Sequence, residues 1–259
     1  MLHISMYFLK LKKILIYFQL SLLCHNFAYG ETLNIISTPE TSVMISEILV
    51  EYAKIGQNSI NASFSQSIDL LDQIQEGLAV DIVITSHNDW IMQLKQKGLI
   101  DITSITNVFI DRLVIVANID QDKFNNLDIE GLKYHIKHDK TFTFIIPDEG
   151  EIYTRKYVDL FLAKLNMPGW VAKYRIKAVR NISSYINDNP NDLAILFYSQ
   201  AYDDENIKIV TKLDYRLYEE IVFQAALVAS ENHKEAEAFL KFLKDTKSKN
   251  IFIKNGFTY

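Results

Sequence analysis

The chain has 259 residues, with 27 basic and 32 acidic side chains, a formal charge of −5 and 49% hydrophobic residues. A net negative chain is a poor fit to nucleic acid or to an anionic lipid surface. Its one cysteine, Cys24, excludes an internal disulfide framework, a thiolate metal site and, if the leader is removed, a thiol nucleophile.

In chain order, Lys10, Lys12 and Lys13 precede the apolar run Ile14–Cys24, and Ala28-Tyr29-Gly30 stands just before Glu31. That order is the signature of a secretory signal, residues 1–30, cleaved near Gly30. The run is too short to cross a hydrocarbon core of roughly 30 Å as a helix. A periplasmic protein with no stable membrane insertion after cleavage is expected, retention of the leader as an anchor being the alternative. Removing the leader takes three lysines and no acid, so the remaining chain carries −8. Without disulfides it depends on its core for stability.

Leu33–Ile36 reads as a strand, followed by a helix over Ser42–Ile55 with Met44, Ile48, Tyr52 and Ile55 on one face. A second helix is expected over Ser67–Glu76, with Ser67 as N-cap and Gly77 as its stop. Asp81–Thr85 is a buried strand, and Asn88–Lys97 a helix closed by Gly98, with Ser86 and Asn88 as capping residues. Strands follow at Leu113–Ala117, Thr141–Ile146, Leu193–Phe197 and Ile221–Val228, with helices near Ile152–Leu165 and His233–Lys247. Strands alternating with helices predict an α/β protein with mostly parallel sheets covered on both faces.

The order of these elements predicts two lobes. Lobe I comprises 31–111 and 219–259, lobe II 112–218, joined by two hinge crossings. A cleft between hinged lobes is the expected ligand site.

Several segments carry a family resemblance. They are Ala62–Ser67, Gln73–Gly77, Val80–Ser86, Trp90-Ile91-Met92 and Arg112–Ala117, then Ile152-Tyr153, Val179-Arg180, Leu193–Phe197 and Asn255–Thr258. In this order the chain resembles the periplasmic molybdate-binding proteins of ABC transporters over nearly all of its length after the leader. The resemblance implies the two-lobed type II periplasmic binding protein fold, each lobe a mixed, mostly parallel sheet flanked by helices. It implies a monomer that delivers a small oxyanion, molybdate or tungstate, to an inner-membrane ABC permease, with no cofactor and no catalysis. In such proteins hydroxyls and backbone N–H groups hold the anion, and helix starts suit that task because they present unpaired N–H groups and a positive dipole end. Carried over to this sequence, the site positions are Thr38 and Glu40, Ser67, Gly150, Val179, and Phe197 or its neighbour Tyr198.

Glu40 departs from the family, which has a hydroxyl donor there, and an ionised carboxylate can only accept. Phe197 has no hydroxyl, and Asp148, Glu149 and Glu151 crowd the third binding loop. Three accounts follow: Glu40 turns outward as a helix N-terminal acid while Thr38 or Thr41 donates; the ligand has changed to an organic or cationic one; or the fold serves a non-transport envelope sensor or interaction protein. Arg155 and Arg180 are the cations that would restore positive potential. His87 with Asp89, and His135 with His138, fall short of the three or four ligands of a tight zinc site, so no free-cation site is expected. No nucleophile elbow, Gly-rich phosphate loop or His-Glu-x-x-His pattern supports an enzyme.

Overall fold

The computed structural model describes residues 32–55, 59–65, 70–125, 127–141, 143–166, 176–229 and 233–259. The predicted leader and Ser67 lie outside the described residues.

The strands are β1 (Leu33–Ser37), β2 (Ile60–Phe64), β3 (Ile82–Thr85), β4 (Thr106–Asp111), β5 (Leu113–Asn118), β6 (Phe144–Pro147), β7 (Ile176–Val179), β8 (Leu193–Phe197), β9 (Ile207–Lys212) and β10 (Ile221–Leu227). They form two five-stranded sheets, ordered β2-β1-β3-β10-β4 and β7-β6-β8-β5-β9. We call the first sheet with its helices lobe I and the second lobe II. Both sheets have one plan. In each, one strand runs antiparallel to its neighbours: β10 between β3 and β4, and β5 between β8 and β9. Each of these two strands is the one by which the chain enters its sheet from the other lobe.

Burial explains the composition of the strands. β3, β5, β6 and β8 are buried at every position, which is why they are continuous apolar runs. The sheet edges β2, β4, β7 and β9 are only partly buried and mix polar with apolar residues, as in Ile60-Asn61-Ala62-Ser63-Phe64. One apolar core runs from Ile35 and Ile84 through Phe109, Leu113 and Tyr218 to Phe144 and Ile195, so it passes under the hinge. Separate clusters cover the opposite faces, around Val83, Trp90 and Leu94 in lobe I and around Val116, Ile186 and Leu196 in lobe II.

The helices are α1 (Ser42–Ala53), α2 (Leu70–Gln75), α3 (Asn88–Gln96), α4 (Ile129–His138), α5 (Ile152–Lys164), α6 (Ile182–Asp188), the single turn α7 (Tyr198–Ala201), α8 (His233–Leu243) and α9 (Thr246–Lys254). The helix expected over His233–Lys247 is thus two helices. Asp245 starts the second by accepting a hydrogen bond from the Lys247 N–H at 3.1 Å, a side-chain cap that a continuous helix would not accommodate.

The two crossings lie side by side. The first is Asp111-Arg112-Leu113 and the second runs from Leu213 to Glu220. Leu213 N–H donates to the Leu113 carbonyl at 3.0 Å, and Leu113 N–H donates to the buried Tyr218 Oη at 3.0 Å. Glu219 takes φ +80, a left-handed turn that costs a non-glycine residue about 1–2 kcal/mol, so the surrounding bonds hold it there.

Candidate ligand-binding cleft

The strands β1 and β3 are adjacent and parallel, and the chain leaves both at the same end. In open α/β sheets this end carries the ligand crevice. Thr38 follows β1 and Ser86 follows β3, and both are fully buried. Among the described residues neither Thr38 Oγ1 nor Ser86 Oγ has a hydrogen-bond partner. A buried hydroxyl left unpaired costs about 1–3 kcal/mol, so such groups point to a missing partner.

Local bonding explains why Thr38 and not Thr41 is left open. Thr41 Oγ1 donates to the Thr38 carbonyl at 2.7 Å, and its oxygen accepts from Ser37 Oγ at 2.7 Å. Ser86 likewise departs from the capping role read from the sequence. His87, not Ser86, is the N-cap of α3, with no side-chain capping bond, and the His87 N–H is held by Thr85 Oγ1 at 3.0 Å.

Glu40 does not turn outward. Its Oε1 is buried without a described partner, and its side chain lines a cavity of about 430 Å³ together with Pro39, Met44, Phe257, Glu151, Ser199 and Gln200. This cavity lies between the lobes. Burial pushes the Glu40 carboxyl up to about 7, and the like charges of Asp111 and Glu151 add to the rise; the Thr38 hydroxyl and the local backbone oppose it. Asp111, at the first crossing, is pushed up to about 6 by burial, although it accepts from Ser199 Oγ at 2.6 Å and from the Arg112 N–H at 2.7 Å. The cleft is therefore acidic.

Lobe II closes over this end of lobe I. Tyr157, on α5, donates from Oη to the Ser86 carbonyl at 2.8 Å across the cleft, and Lys156 reaches Asp89 at 3.3 Å. At the other flank, Gly256 has φ +83, and a Cβ there would meet Tyr202 Cβ at 2.9 Å and Ser199 Cα at 3.2 Å. Only glycine lets the C-terminal segment approach α7 so closely.

Of the remaining positions carried over from the family, Gly150, Val179, Phe197 and Tyr198 lie in lobe II. Gly150 precedes α5, and its N–H donates to Asp148 Oδ1 at 2.9 Å. Val179 ends β7, and its carbonyl accepts from the Asp148 N–H at 3.2 Å. Phe197 is fully buried against Tyr157, and its N–H donates to Gln200 Oε1 at 3.2 Å. The Tyr198 ring lies under Lys212 Nζ at 4.3 Å, beside the hinge. Arg155 is turned to Asp159 at 2.9 Å, whereas Arg180 faces Asp148 at 3.5 Å and borders a second cavity of about 370 Å³ that shares Glu151 and Gln200 with the first. The structure thus brings Thr38, Glu40 and Ser86 to one end of lobe I, with Gly150, Val179 and Phe197 at the facing strand ends. Sequence reasoning missed Ser86 and Tyr157. The available signal for Ser86 was its place directly after a buried strand, the place Thr38 holds after β1.

A larger groove of about 700 Å³ lies between α1 and α9, away from the strand ends, and its Lys254 and Glu47 are paired at 2.9 Å. No group of three or more potential metal ligands occurs among the described residues. His135 is paired with Asp139 at 3.2 Å, and His138 contacts the Tyr134 carbonyl at 3.0 Å. None of the described helices is long and apolar enough to cross a membrane.

Comparisons with known proteins agree with this architecture. The molybdate-binding protein ModA of Haemophilus influenzae is 22% identical over 236 residues, covering 90% of this chain and 92% of that protein. The substrate-binding domain of a putative molybdenum ABC transporter from Clostridium difficile superposes with a TM-score of 0.74 at 19% identity, covering 88% of this chain and 98% of that one. The periplasmic molybdate-binding protein of Azotobacter vinelandii gives a TM-score of 0.68 at 17% identity, covering 88% and 99%. The fold is the type II periplasmic binding protein fold. The family model for bacterial extracellular solute-binding proteins matches residues 33–258, and the chain belongs to that family.

Proposed function

We propose that the chain captures a small oxyanion, molybdate or tungstate being the first candidates, between its two lobes and presents the closed form to an inner-membrane permease. The observation that carries this reading is the buried Ser86 hydroxyl, which has no hydrogen-bond partner among the described residues, at the end of the strand next to the one that ends in the buried Thr38 hydroxyl, whose polar neighbour is the Glu40 carboxyl. Hydroxyls satisfy an oxyanion without adding charge, and closure by Tyr157 excludes water, which strengthens each bond. The names of the relatives from H. influenzae and C. difficile support molybdate as the first ligand to test. In this reading residues 1–30 direct export to the periplasm, lobe I is 31–111 with 219–259, lobe II is 112–218, and the protein acts as a monomer.

A second reading, an organic or cationic ligand, is favoured by the Glu40 carboxyl in the cleft wall. Calorimetry of the purified protein with molybdate, tungstate and sulfate, beside Ser86→Ala and Ser67→Ala variants, separates the two. Oxyanion binding weakened at least ~10-fold by loss of the Ser86 hydroxyl is expected. A folded protein that gives no heat with any of them, yet binds a small amine, would replace the first reading with the second.

A further inference from the structure

An oxyanion in this cleft meets a carboxyl. Glu40 Oε1 is buried without a described partner, in a cavity whose facing wall carries Glu151. The charged groups that act on it, Asp111 from the end of β4 and Glu151 ahead of α5, are both acids. The groups that favour its anion are neutral, the Thr38 hydroxyl and the local backbone. Tyr157, on α5, is close enough to feel the Glu40 charge, and burial holds that phenol in its neutral form. An ionised carboxylate offers only lone pairs, so two anions here would repel with nothing between them.

We propose that Glu40 and the bound oxyanion share one proton, so that the cleft takes up a proton with its ligand and Glu40 decides which anions it accepts. The inference rests on the oxyanion reading and deepens it. An anion that is fully deprotonated at neutral pH, such as molybdate or sulfate, requires the carboxyl to hold the proton and donate it. An anion that keeps a proton, such as hydrogen phosphate, brings the donor itself and meets Glu40 as an acceptor. In the first case one proton passes from solvent to Glu40, with no other bond made or broken. Burial already holds that carboxyl up to about 7, so the proton is available near neutral pH.

The test is titration of the purified protein with molybdate at pH 6, 7 and 8, in paired buffers of different ionisation heat, with E40Q alongside. The expected result is uptake approaching one proton at pH 8, less at pH 6, and affinity falling toward tenfold per pH unit above about pH 7. E40Q keeps a permanent N–H donor, so it should bind molybdate without proton uptake and with a flat pH profile. Binding of phosphate by the wild type, where molybdate, tungstate and sulfate fail, would also support the inference, because phosphate supplies the proton. Molybdate binding with no proton uptake, or the same pH slope in E40Q, overturns it while leaving the oxyanion reading intact. If neither protein binds any of the four anions at any of these pH values, the oxyanion reading fails and the inference with it.

Discussion

Lobe I ends β1 and β3 at the cleft in Thr38 and Ser86, whose hydroxyls are buried without described partners, and sets Glu40 beside them. Lobe II ends β6, β7 and β8 in groups already bonded to one another: Gly150 N–H to Asp148, Asp148 to Arg180, and Phe197 N–H to Gln200. Both sheets follow one strand plan, so topology does not produce this contrast. The side chains do. One lobe holds unmet polar atoms and is poised for a ligand. The other has satisfied its own and serves chiefly to close, through Tyr157 on the Ser86 carbonyl. Unmet groups lower stability until they are occupied, so binding and stability should respond in opposite directions in lobe I and hardly at all in lobe II.

The largest expected effect is on pH. Glu40 and Asp111 have ordinary values of 4.5 and 3.8 and are raised to about 7 and about 6 in the folded protein. Between about pH 4 and about pH 7 the unfolded chain has released these protons while the folded chain keeps them, so stability falls as pH rises, by on the order of a few kcal/mol. Above about pH 8 this contribution is spent. The surface acids act the other way. Asp214, held at about 2 by Arg216, loses its contribution only as pH falls through that range, and as an exposed group it contributes little. Denaturant melts of the ligand-free protein from pH 4.5 to pH 8 should therefore show the midpoint dropping, and Glu40→Gln should remove roughly half of the slope, the rest belonging to Asp111. An unchanged slope in that variant would move the acidic character away from the cleft.

Next come the hydroxyls themselves. Ser86→Ala removes an unmet buried group, so the empty protein should gain about 1 kcal/mol while anion affinity falls about tenfold or more; Thr38→Val, which also takes a hydroxyl away from the Glu40 carboxyl, should lose affinity with little gain in stability. Thermal melts and calorimetry on the same samples check both signs. A variant that loses stability along with affinity would show that its hydroxyl is bonded within the protein, and the contrast between the lobes would fail.

These residues also mark where the sequence stopped being readable. All six central strands were legible, because strands covered on both faces are mostly apolar, as Leu113–Asn118 is. The four edge strands were not. Asn61 and Ser63 in β2, or Lys208 and Thr211 in β9, interrupt the apolar pattern because an edge is half solvated. The positions of Thr38 and Glu40 at the cleft followed from the family resemblance, but their states did not. Whether a hydroxyl is spent on a neighbouring carbonyl, as in Thr41, or left open, as in Ser86, depends on the few degrees of backbone that shape a turn. Tyr157 was not legible as a cleft residue. Its hydroxyl crosses to residue 86, a pairing over 71 positions that helical spacing within α5 cannot reveal.

Tyr157→Phe tests closure. The ring stays buried while the cross-lobe bond is lost, so the closed form should weaken by about 1 kcal/mol. Small-angle scattering of the ligand-free protein should then show a larger radius of gyration than the wild type, and ligand release should speed up several-fold. Equal radii would mean that packing around Gly256 and Ser199, not this bond, holds the lobes together.

The smallest effect is expected from Arg180→Ala, and it bears most directly on the quiet half of the cleft. Arg180 is the cation beside the third binding loop, yet its side chain is 80% exposed and its partner Asp148 is 3.5 Å away. An ion pair in that setting is worth roughly 0–1 kcal/mol, and the alanine variant should stay within about 0.5 kcal/mol of the wild type in a denaturant melt. Its effect on anion binding discriminates more sharply. If lobe I holds the ligand through neutral hydroxyls and a shared proton, removing a solvated guanidinium should change affinity less than about threefold at 0.15 M salt, where the Debye length is about 8 Å. A loss as large as that from Ser86→Ala would place Arg180 against the bound anion. The charge balance of the cleft would then rest on a lobe II cation instead of on Glu40.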